Sequence, residues 1–367
     1  MKNYDYLIVG CGLFGSTFAR LAADAGKSCL VIDKRDHIAG NCYTKNIEGI
    51  NVHRYGAHIF HTSNKVVWNF INRFSEFNNY INSPKAVSKG RLYSLPFNMN
   101  TFYEIWGTRS PEEAKTIIES QSFKGKPTNL EEQALSLVGS DIYYTLIKEY
   151  TEKQWGKNAK ELPTFIIKRL PLRFTFDNNY FNDRYQGIPI GGYTQMFERI
   201  LGGIDVKLST DYFENKEYFD SIANKIVYTG CIDEFFNYEY GKLEYRSLNF
   251  KDHILEEENH QGNAVINYCD ANVPHTRIIE HKHFEKAKTE KTVITCEYPN
   301  EYTERTIPYY PINSSHNQKI YKKYIERTKR LTKFIFGGRL AEYKYMDMHV
   351  VIESAMNKFN SSMREIS

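Results

Sequence analysis

The sequence has no strong excess of charge, no long apolar run and no cysteines at the spacing of a metal site. Its 48 basic and 44 acidic residues give a net charge of +4, which is too small to indicate nucleic acid or an anionic membrane surface as a partner. No segment approaches the roughly 20 consecutive apolar residues of a membrane helix. Because the chain enters an apolar, strand-like segment almost at once, we also expect no signal peptide.

The six cysteines stand far apart, and none belongs to a CxxC motif. Several fall in apolar runs that predict strands, where a cysteine behaves as a small apolar residue. This usage is typical of a reducing compartment. We therefore expect a cytoplasmic protein without a cysteine-based metal site. Its 367 residues are enough for two or three domains.

Three glycines directly follow the first apolar run. Gly10 allows a tight turn, Gly12 lets the backbone approach a pyrophosphate, and Gly15 lets the following helix pack closely against the strand. Asp33 closes the next apolar run and can accept hydrogen bonds from a ribose. The positive end of the helix, predicted over 16–25, faces the phosphates. Together these features predict a Rossmann-type dinucleotide-binding domain.

Two features favour FAD over NAD as the dinucleotide. The segment 33–41, which includes Lys34 and Asn41, follows the second strand at once and can run along an extended FAD. Gly338 and Arg339 end a distant apolar strand, where an arginine can pair with a phosphate or approach the flavin. In an NAD domain the sheet usually closes locally, without such a distant glycine strand. The two features jointly predict FAD as the cofactor.

The remaining pattern predicts an α/β fold with mixed α+β insertions. Cap signals at Ser110 and Asn129, with Gly139 as a stop, predict a block of helices. Apolar and aromatic runs predict a strand at 225–230 that rejoins the first sheet, and antiparallel strands at 238–250, 263–268, 277–284 and 292–298. We therefore expect three interleaved units: an FAD-binding domain (1–80, 195–235 and 330–367), a helical subdomain (96–160) and an antiparallel sheet or substrate domain (81–95, 161–194 and 236–329).

Longer, irregular stretches carry a family resemblance. They are YGAHIFH (55–61), LPFNMN (95–100), YTEKQWG (150–156), RFTFDNNY (173–180), DRYQGIP (183–189) and GGRLAEYKY (337–345). On these stretches the chain resembles the bacterial UDP-galactopyranose mutases over nearly its whole length. It departs from that family at Ala39, where a glycine is common, and at Cys231, where we expect proline. The alanine should cost little if its backbone is not left-handed.

The resemblance implies interconversion of UDP-galactopyranose and UDP-galactofuranose with no net redox change. In that family N5 of the reduced flavin, FADH−, bonds covalently to the anomeric carbon while UDP leaves, and the sugar ring recloses through its 4-hydroxyl. The implied partners are therefore FAD, the nucleotide sugar UDP-galactose and an external reductant. The resemblance also implies a homodimer.

The resemblance further implies a set of substrate-binding residues. Arg169 and Arg277 match its two diphosphate arginines, although either alone would as easily form a surface ion pair. Arg169 lies on a segment, 166–181, that matches a mobile flap. Tyr150 and Trp155 are candidates to stack on uracil, with packing in the helical block as the alternative. The other candidates are Asn82, Tyr180, Arg246, Asn267, Tyr310 and Tyr345.

Two histidines lie beside the flavin in the family. His58 and His61 can stabilise the reduced flavin or relay a proton, and the residues leave open which of them does so. No third ligand supports a metal pair. With Arg169 and Arg277 they are the candidate catalytic residues. The candidate cofactor-binding residues are Gly10, Gly12, Phe14, Gly15, Asp33, Lys34, Asn41, His58, Gly338, Arg339, Tyr345, Asp347 and Met348, of which Asp347 has the N-cap of the last helix as an alternative role.

Other functions share much of this pattern. A flavin oxidoreductase of the amine-oxidase type shares the FAD fold and would oxidise its substrate stoichiometrically. A catalytically silent UDP-sugar binder would bind nucleotide without turnover. A mutase acting on UDP-N-acetylgalactosamine is a variant of the leading hypothesis, because the sequence does not show how much room the sugar C2 has.

Overall fold

The computed structural model describes residues 3–167 and 170–364. The strands of this part of the chain, in order, are β1 (Tyr4–Val9), β2 (Cys29–Ile32), β3 (Thr44–Ile47), β4 (Ile50–His53), β5 (Phe60–Thr62), β6 (Lys85–Ser88), β7 (Arg91–Ser94), β8 (Tyr185–Gly187), β9 (Asp205–Lys207), β10 (Ala223–Tyr228), β11 (Tyr245–Leu255), β12 (Val265–Tyr268), β13 (Arg277–Glu280), β14 (Thr292–Glu301), β15 (Tyr310–Pro311) and β16 (Phe334–Phe336).

The same part of the chain contains α-helices. They are α1 (Leu13–Asp24), α2 (Lys65–Ile71), α3 (Met99–Trp106), α4 (Pro111–Gln121), α5 (Leu130–Ile142), α6 (Lys148–Trp155), α7 (Gly192–Ile200), α8 (Lys216–Ser221), α9 (Ile232–Phe235), α10 (Lys282–Glu285), α11 (Ser315–Thr328) and α12 (Met348–Arg364). None of these helices is long and apolar enough to cross a membrane.

A parallel five-stranded sheet forms the first layer, in the order β16-β10-β1-β2-β9. Its central strands are almost continuously apolar because helices cover both faces of such a sheet. On one face α1 packs against α12, where Phe18 meets Phe359 edge to face at 5.5 Å. The predicted return of the segment 225–230 is confirmed, since β10 pairs with β1 in parallel register. The predicted α/β class is thereby confirmed.

A seven-stranded sheet forms the second large layer, in the order β15-β11-β14-β13-β12-β6-β7. All of its pairs are antiparallel except that of β12 with β6. The strand predicted over 238–250 begins only at Tyr245, because Tyr238 and Gly241 have positive φ angles that a strand does not allow. Likewise β13 ends at Glu280, and the next residues form α10 instead of extending the strand.

The helical block follows its cap signals. Ser110 accepts a hydrogen bond from the Glu113 amide and Asn129 accepts one from the Glu132 amide, so both predicted N-caps are confirmed. Gly139 interrupts α5 with φ of 75° and ψ of 175°. The stop predicted at this glycine is therefore present as a kink that separates two helical segments.

The glycine turn after β1 is packed closely. A Cβ on Gly15 would lie 2.0 Å from the Gly10 carbonyl oxygen, and one on Gly10 would lie 2.0 Å from Oγ1 of Thr229, which follows β10. Gly12 is different, because a Cβ there would come no nearer than 3.9 Å to the protein, at Gly40. The protein itself therefore requires Gly10 and Gly15, while the space at Gly12 is free for a ligand.

Ala39 does not have the backbone that we expected. Its φ of 72° and ψ of −2° place it in the left-handed region, and its side chain is fully buried. An L-residue pays about 1–2 kcal/mol in that conformation. The replacement of the usual glycine is therefore strained, and the buried methyl group offsets part of that cost.

Three buried histidines support the loop that follows β4. The His58 amide donates to Nδ1 of His53 at 3.1 Å, and the His53 amide donates to Nδ1 of His281 at 3.2 Å. Nε2 of His281 bonds Oγ1 of Thr295 at 2.6 Å. A ring nitrogen that accepts from an amide carries no proton, so His53 and His281 must be neutral for these bonds to exist.

Burial lowers the pKa of all three imidazoles. It takes the pKa of His58 to about 4 and that of His281 to about 3, and that of His53 lies well below its usual value. Positive neighbours add to the effect, namely Arg339 and Arg277 for His58 and Arg54 for His281. The loop 53–58 is therefore held by neutral histidines at neutral pH.

We expect Gly15→Ala to destabilise the fold and Gly12→Ala to leave its stability nearly unchanged. In the flavin-free protein Gly15→Ala should lower the free energy of unfolding by about 1–3 kcal/mol, because its methyl group overlaps backbone. Gly12→Ala should change it by less than about 1 kcal/mol, since the site has room. Urea unfolding of both variants tests this. Equal destabilisation by the two substitutions would contradict it.

Stability should fall steeply in acid. The folded pKa values of the three histidines lie below the unfolded value, so the unfolded chain binds protons first as the pH drops below about 6.5. Each histidine then lowers the free energy of unfolding by about 1.4 kcal/mol per pH unit, and the three together by about 4. Urea unfolding at pH 7.5, 6 and 5 measures the slope, and His281→Gln should remove about a third of it. An unchanged stability over this range would contradict the assignment.

Candidate active site

The glycine turn, the segment after β2 and the end of β16 meet at one place. Asp33 accepts hydrogen bonds from the Cys11 amide at 2.7 Å and from the Arg35 amide at 2.9 Å, so its carboxylate ties β2 to the turn. A Cβ on Gly40 would lie 2.8 Å from the Cα of Gly12. These contacts give the predicted cofactor-binding residues Gly10, Gly12, Gly15 and Asp33 a common location.

The distant glycine strand closes the same place from the other side. A Cβ on Gly337 would lie 2.1 Å from the Phe14 ring, and one on Gly338 would lie 3.3 Å from the Phe14 Cβ. Only glycine allows this approach to the first turn of α1. The return of the C-terminal strand to the dinucleotide turn, which favoured FAD, is therefore present in the fold.

Arg35 is a residue that the sequence analysis missed. Its Nη2 donates to Asn41 at 2.9 Å, and its guanidinium lies 4.6 Å from the centre of the Tyr55 ring. Its Nη1 is buried and has no hydrogen-bond partner within residues 3–167 and 170–364. A buried guanidinium nitrogen needs an acceptor, and a phosphate suits its geometry. The neighbouring lysine singled out from the sequence, Lys34, is exposed and lies near Glu234 instead.

Arg339 lies between the cofactor turn and a tyrosine cluster. Its Nη2 donates to the Tyr309 carbonyl at 2.6 Å, and its guanidinium lies 4.7 Å from the centre of the Tyr345 ring. Tyr345 is 52% exposed and lies close to Asp347, whose negative charge adds to the raising of the Tyr345 pKa by burial. Asp347 stands directly before α12, and Met348, the first residue of that helix, packs against the core of the first sheet.

His58 and His61 occupy different surroundings. Nδ1 of His58 donates to the Gly56 carbonyl at 2.8 Å, which leaves Nε2 as the acceptor nitrogen of a neutral ring. His61 instead bonds Asp183 through Nδ1 at 2.6 Å and stacks on Phe181 at 3.7 Å. His58 is therefore the histidine that faces the arginines, whereas His61 is held by the far end of the predicted flap segment.

Arg277 is fixed by a fully buried carboxylate. Strand register places it opposite Glu297, and its Nε donates to Glu297 at 2.8 Å. Burial opposes the charge of Arg277, but the Glu297 carboxylate more than offsets it and raises its pKa above the usual value. Nη1 and Nη2 donate to no other residue of the described part of the chain. A permanent cation with two free donor groups therefore stands in the site.

Tyrosines surround this cation. Burial raises the pKa of Tyr150, at the end of the helical block, and of Tyr310, on β15, and Arg277 opposes both shifts. Tyr310 lies 5.9 Å from Tyr345, and Tyr180 lies within electrostatic range of both Arg277 and Asp347. The structure thus gathers Tyr150, Tyr180, Tyr310, Tyr345, Arg277 and Arg339, which lie in separate parts of the sequence.

Two other predicted substrate residues, Arg246 and Trp155, lie at the end of α6. Arg246 donates to the Gln154 carbonyl at 3.2 Å and lies against Gly156, so it binds the end of α6. Trp155, on that helix end, lines a cavity of about 60 Å³ together with Pro163 and Ile312.

The remaining predicted substrate-binding residues are Asn82, Asn267 and Arg169. Asn267 pairs with Arg277 across β12 and β13. The side-chain oxygen of Asn82 is buried without a partner in the described ranges, while its carbonyl accepts from the Tyr180 amide at 2.7 Å. Arg169 lies outside the described residues.

Comparisons with known proteins show which family the chain belongs to. A family model described as UDP-galactopyranose mutase matches residues 145–345, and one described as an NAD(P)-binding Rossmann-like domain matches residues 8–74. The chain is 41% identical to a dTDP-fucopyranose mutase of Escherichia coli, over 95% of this chain and 96% of that protein. It is 39% identical to a probable UDP-galactopyranose mutase of Klebsiella pneumoniae, over 100% of this chain and 97% of that protein.

A solved structure shows the same fold. The crystal structure of a reduced UDP-galactopyranose mutase superposes with a TM-score of 0.76 at 12% identity, covering 98% of this chain and 95% of that one. The family model matches more than half of the chain, and the Klebsiella pneumoniae relative is matched over nearly its whole length. The chain therefore belongs to the UDP-galactopyranose mutase family.

Proposed function

We propose that this chain interconverts the six-membered and five-membered ring forms of a galactose linked to UDP, without net oxidation or reduction. The observation that carries the proposal is Arg277. It is a partly buried cation fixed through Nε by the fully buried Glu297, with tyrosines around it and with no acceptor for its two terminal nitrogens among the described residues. Such a group suits a diphosphate that leaves and returns.

We propose FAD as the cofactor, working in its reduced form. The free space at Gly12, the unpartnered Nη1 of Arg35 and the approach of Gly337 to Phe14 all support a dinucleotide that extends from the first turn toward β16. Bound and reduced, a flavin supplies an electron-rich nitrogen nucleophile that can bond to the anomeric carbon.

The chain's own residues bind the nucleotide and provide a neutral hydrogen-bond acceptor. Negative charge grows on the diphosphate as the sugar bond breaks, and the Arg277 guanidinium can stabilise that charge. Tyr150 and Trp155 offer ring faces for a base, which contribute about 1–3 kcal/mol per stacked base. His58, neutral with its acceptor at Nε2, can accept a hydrogen bond there, and because its pKa is lowered it does not supply a positive charge at neutral pH.

A second substrate is favoured by a specific observation. The relative at 41% identity is a dTDP-fucopyranose mutase, and that value is close to the 39% of the Klebsiella pneumoniae protein. The same ring chemistry on dTDP-fucose is therefore the alternative. The homodimer, the external reductant and the cytoplasmic location stay predictions.

Turnover should require reduction and should give an isomer. We expect the dithionite-reduced, FAD-loaded protein to convert UDP-galactose anaerobically into a product of identical mass and different chromatographic mobility, because the cofactor is regenerated in each cycle. Parallel reactions with dTDP-fucose and UDP-N-acetylgalactosamine rank the substrates. Turnover by the oxidised enzyme, with a product two mass units lighter, would indicate an oxidoreductase instead. Nucleotide binding without product from any of the three sugars would indicate a silent binder.

Arg277→Lys should lower kcat/KM by about two orders of magnitude, which corresponds to roughly 3 kcal/mol of lost stabilisation. The lysine keeps the charge opposite Glu297 but loses the planar pair of donors. Arg73→Lys is the matched control, because Arg73 pairs with Asp24 on the exposed surface. Steady-state kinetics under reducing conditions measures both. An Arg277→Lys enzyme with unchanged kcat/KM would place the diphosphate elsewhere.

A further inference from the structure

The ammonium group of Lys153 lies inside a turn of backbone carbonyls. Its Nζ donates to the carbonyl oxygens of Tyr268 at 2.7 Å, Asp270 at 3.0 Å, Val273 at 2.9 Å and His275 at 3.0 Å. An ammonium has three protons, so at least one of them is shared between two oxygens. Four carbonyls of one eight-residue segment therefore converge on a single cation.

That segment connects two strands of the site. It leaves β12 just after Asn267 and enters β13 just before Arg277. Lys153 itself stands on α6, between Tyr150 and Trp155. The contact therefore joins the helix with the candidate base-stacking rings to the hairpin with the candidate diphosphate cation.

Other contacts hold the outside of the same segment. Glu149, which lies on α6 like Lys153, accepts a hydrogen bond from the Ala271 amide at 2.6 Å. Asp270 accepts one from the Lys89 amide at 2.8 Å. The first bond holds the tip of the segment to α6, and the second holds the segment to Lys89, which follows β6. Lys153 is different because its donors reach the carbonyls on both sides of the tip, from Tyr268 to His275. Lys153 therefore connects α6 to both ends of the segment between β12 and β13.

We propose that Lys153 is a positioning residue for nucleotide binding, which sets the Arg277 guanidinium at the correct distance from Tyr150 and Trp155. The proposal rests on the proposed function, since it assumes that one ligand spans the rings and the arginine. A rigid spacing lets a nucleoside diphosphate bind both groups at once. In such a geometry a shift of about 1 Å can lower the reaction rate by up to two orders of magnitude. Lys153 thus acts through Arg277 and not by contact with substrate.

The test is the affinity of the FAD-loaded protein for UDP, measured by titration calorimetry in the absence of any reductant. Lys153→Met keeps the length of the side chain and removes the charge and the donors. We expect its Kd for UDP to rise by about tenfold or more with an unchanged flavin spectrum. In an Arg277→Ala background the same substitution should have little further effect, because contacts that act through one group are not additive.

Lys282→Met is the matched control. Lys282 is buried and its Nζ also donates to two backbone carbonyls, those of Glu258 and Thr289, but it lies beyond the opposite end of β13. Its loss should lower thermal stability and leave the Kd for UDP unchanged. An equal loss of affinity in Lys282→Met, or none in Lys153→Met, would overturn the proposal. Full additivity with Arg277→Ala would do the same.

A second variant covers the case in which Lys153→Met does not fold. Lys153→Arg keeps the charge, but a flat guanidinium cannot direct donors at four oxygens gathered about one point. A several-fold weaker affinity for UDP supports the proposal, and wild-type affinity overturns it. If the wild-type protein itself fails to bind UDP, the proposed function fails and not the role of Lys153 alone.

Discussion

The architecture depends on the parallel pairing of β1 with β10. These strands are more than two hundred residues apart in the sequence, yet they lie side by side from Tyr4–Ala223 to Val9–Tyr228. The pairing places Thr229 against the glycine turn, where its Oγ1 and its amide both donate to the Val9 carbonyl. It also brings β16 into the sheet beside β10.

The second constraint is the cost of removing charged side chains from water. Burying an ion costs several kcal/mol unless a partner and hydrogen bonds offset the loss of water. Arg277 has Glu297 as its partner, and Lys153 has four carbonyl dipoles. The two solutions differ in their consequences, because a carboxylate fixes the orientation of a guanidinium while leaving its outer nitrogens free, whereas the carbonyls use all the donors of an ammonium.

The neutral histidines make the third contribution. His58 lies near two arginines, and a further positive charge there would be repelled as well as desolvated. The amide-to-imidazole contacts of His53 and His281 use the lone pair that remains in the neutral ring. The loop that carries His58 thus keeps a neutral hydrogen-bond acceptor beside permanent cations. His61, three residues later, has a carboxylate partner instead.

Much of this protein follows from its sequence. The glycine turn, the helix caps at Ser110 and Asn129 and the return of the 225–230 strand are signalled by residues close together in the chain, because backbone angles and capping bonds are local. Family motifs located Arg277 and the tyrosines. The errors also have local causes: the chain 238–244 is aromatic but contains positive φ angles, and Ala39 is left-handed although it is not glycine.

The partners of the functional groups were decided only by tertiary structure. Glu297 stands opposite Arg277 because of the register of β13 on β14, and a slip of one residue would turn it to the other face. The tautomer of His58, the free nitrogen of Arg35 and the carbonyls around Lys153 depend on segments that meet across the fold. Sequence determines which turns and elements form, since short-range sterics and hydrogen bonds suffice for that, whereas charge, protonation and spacing in the site arise from long-range packing.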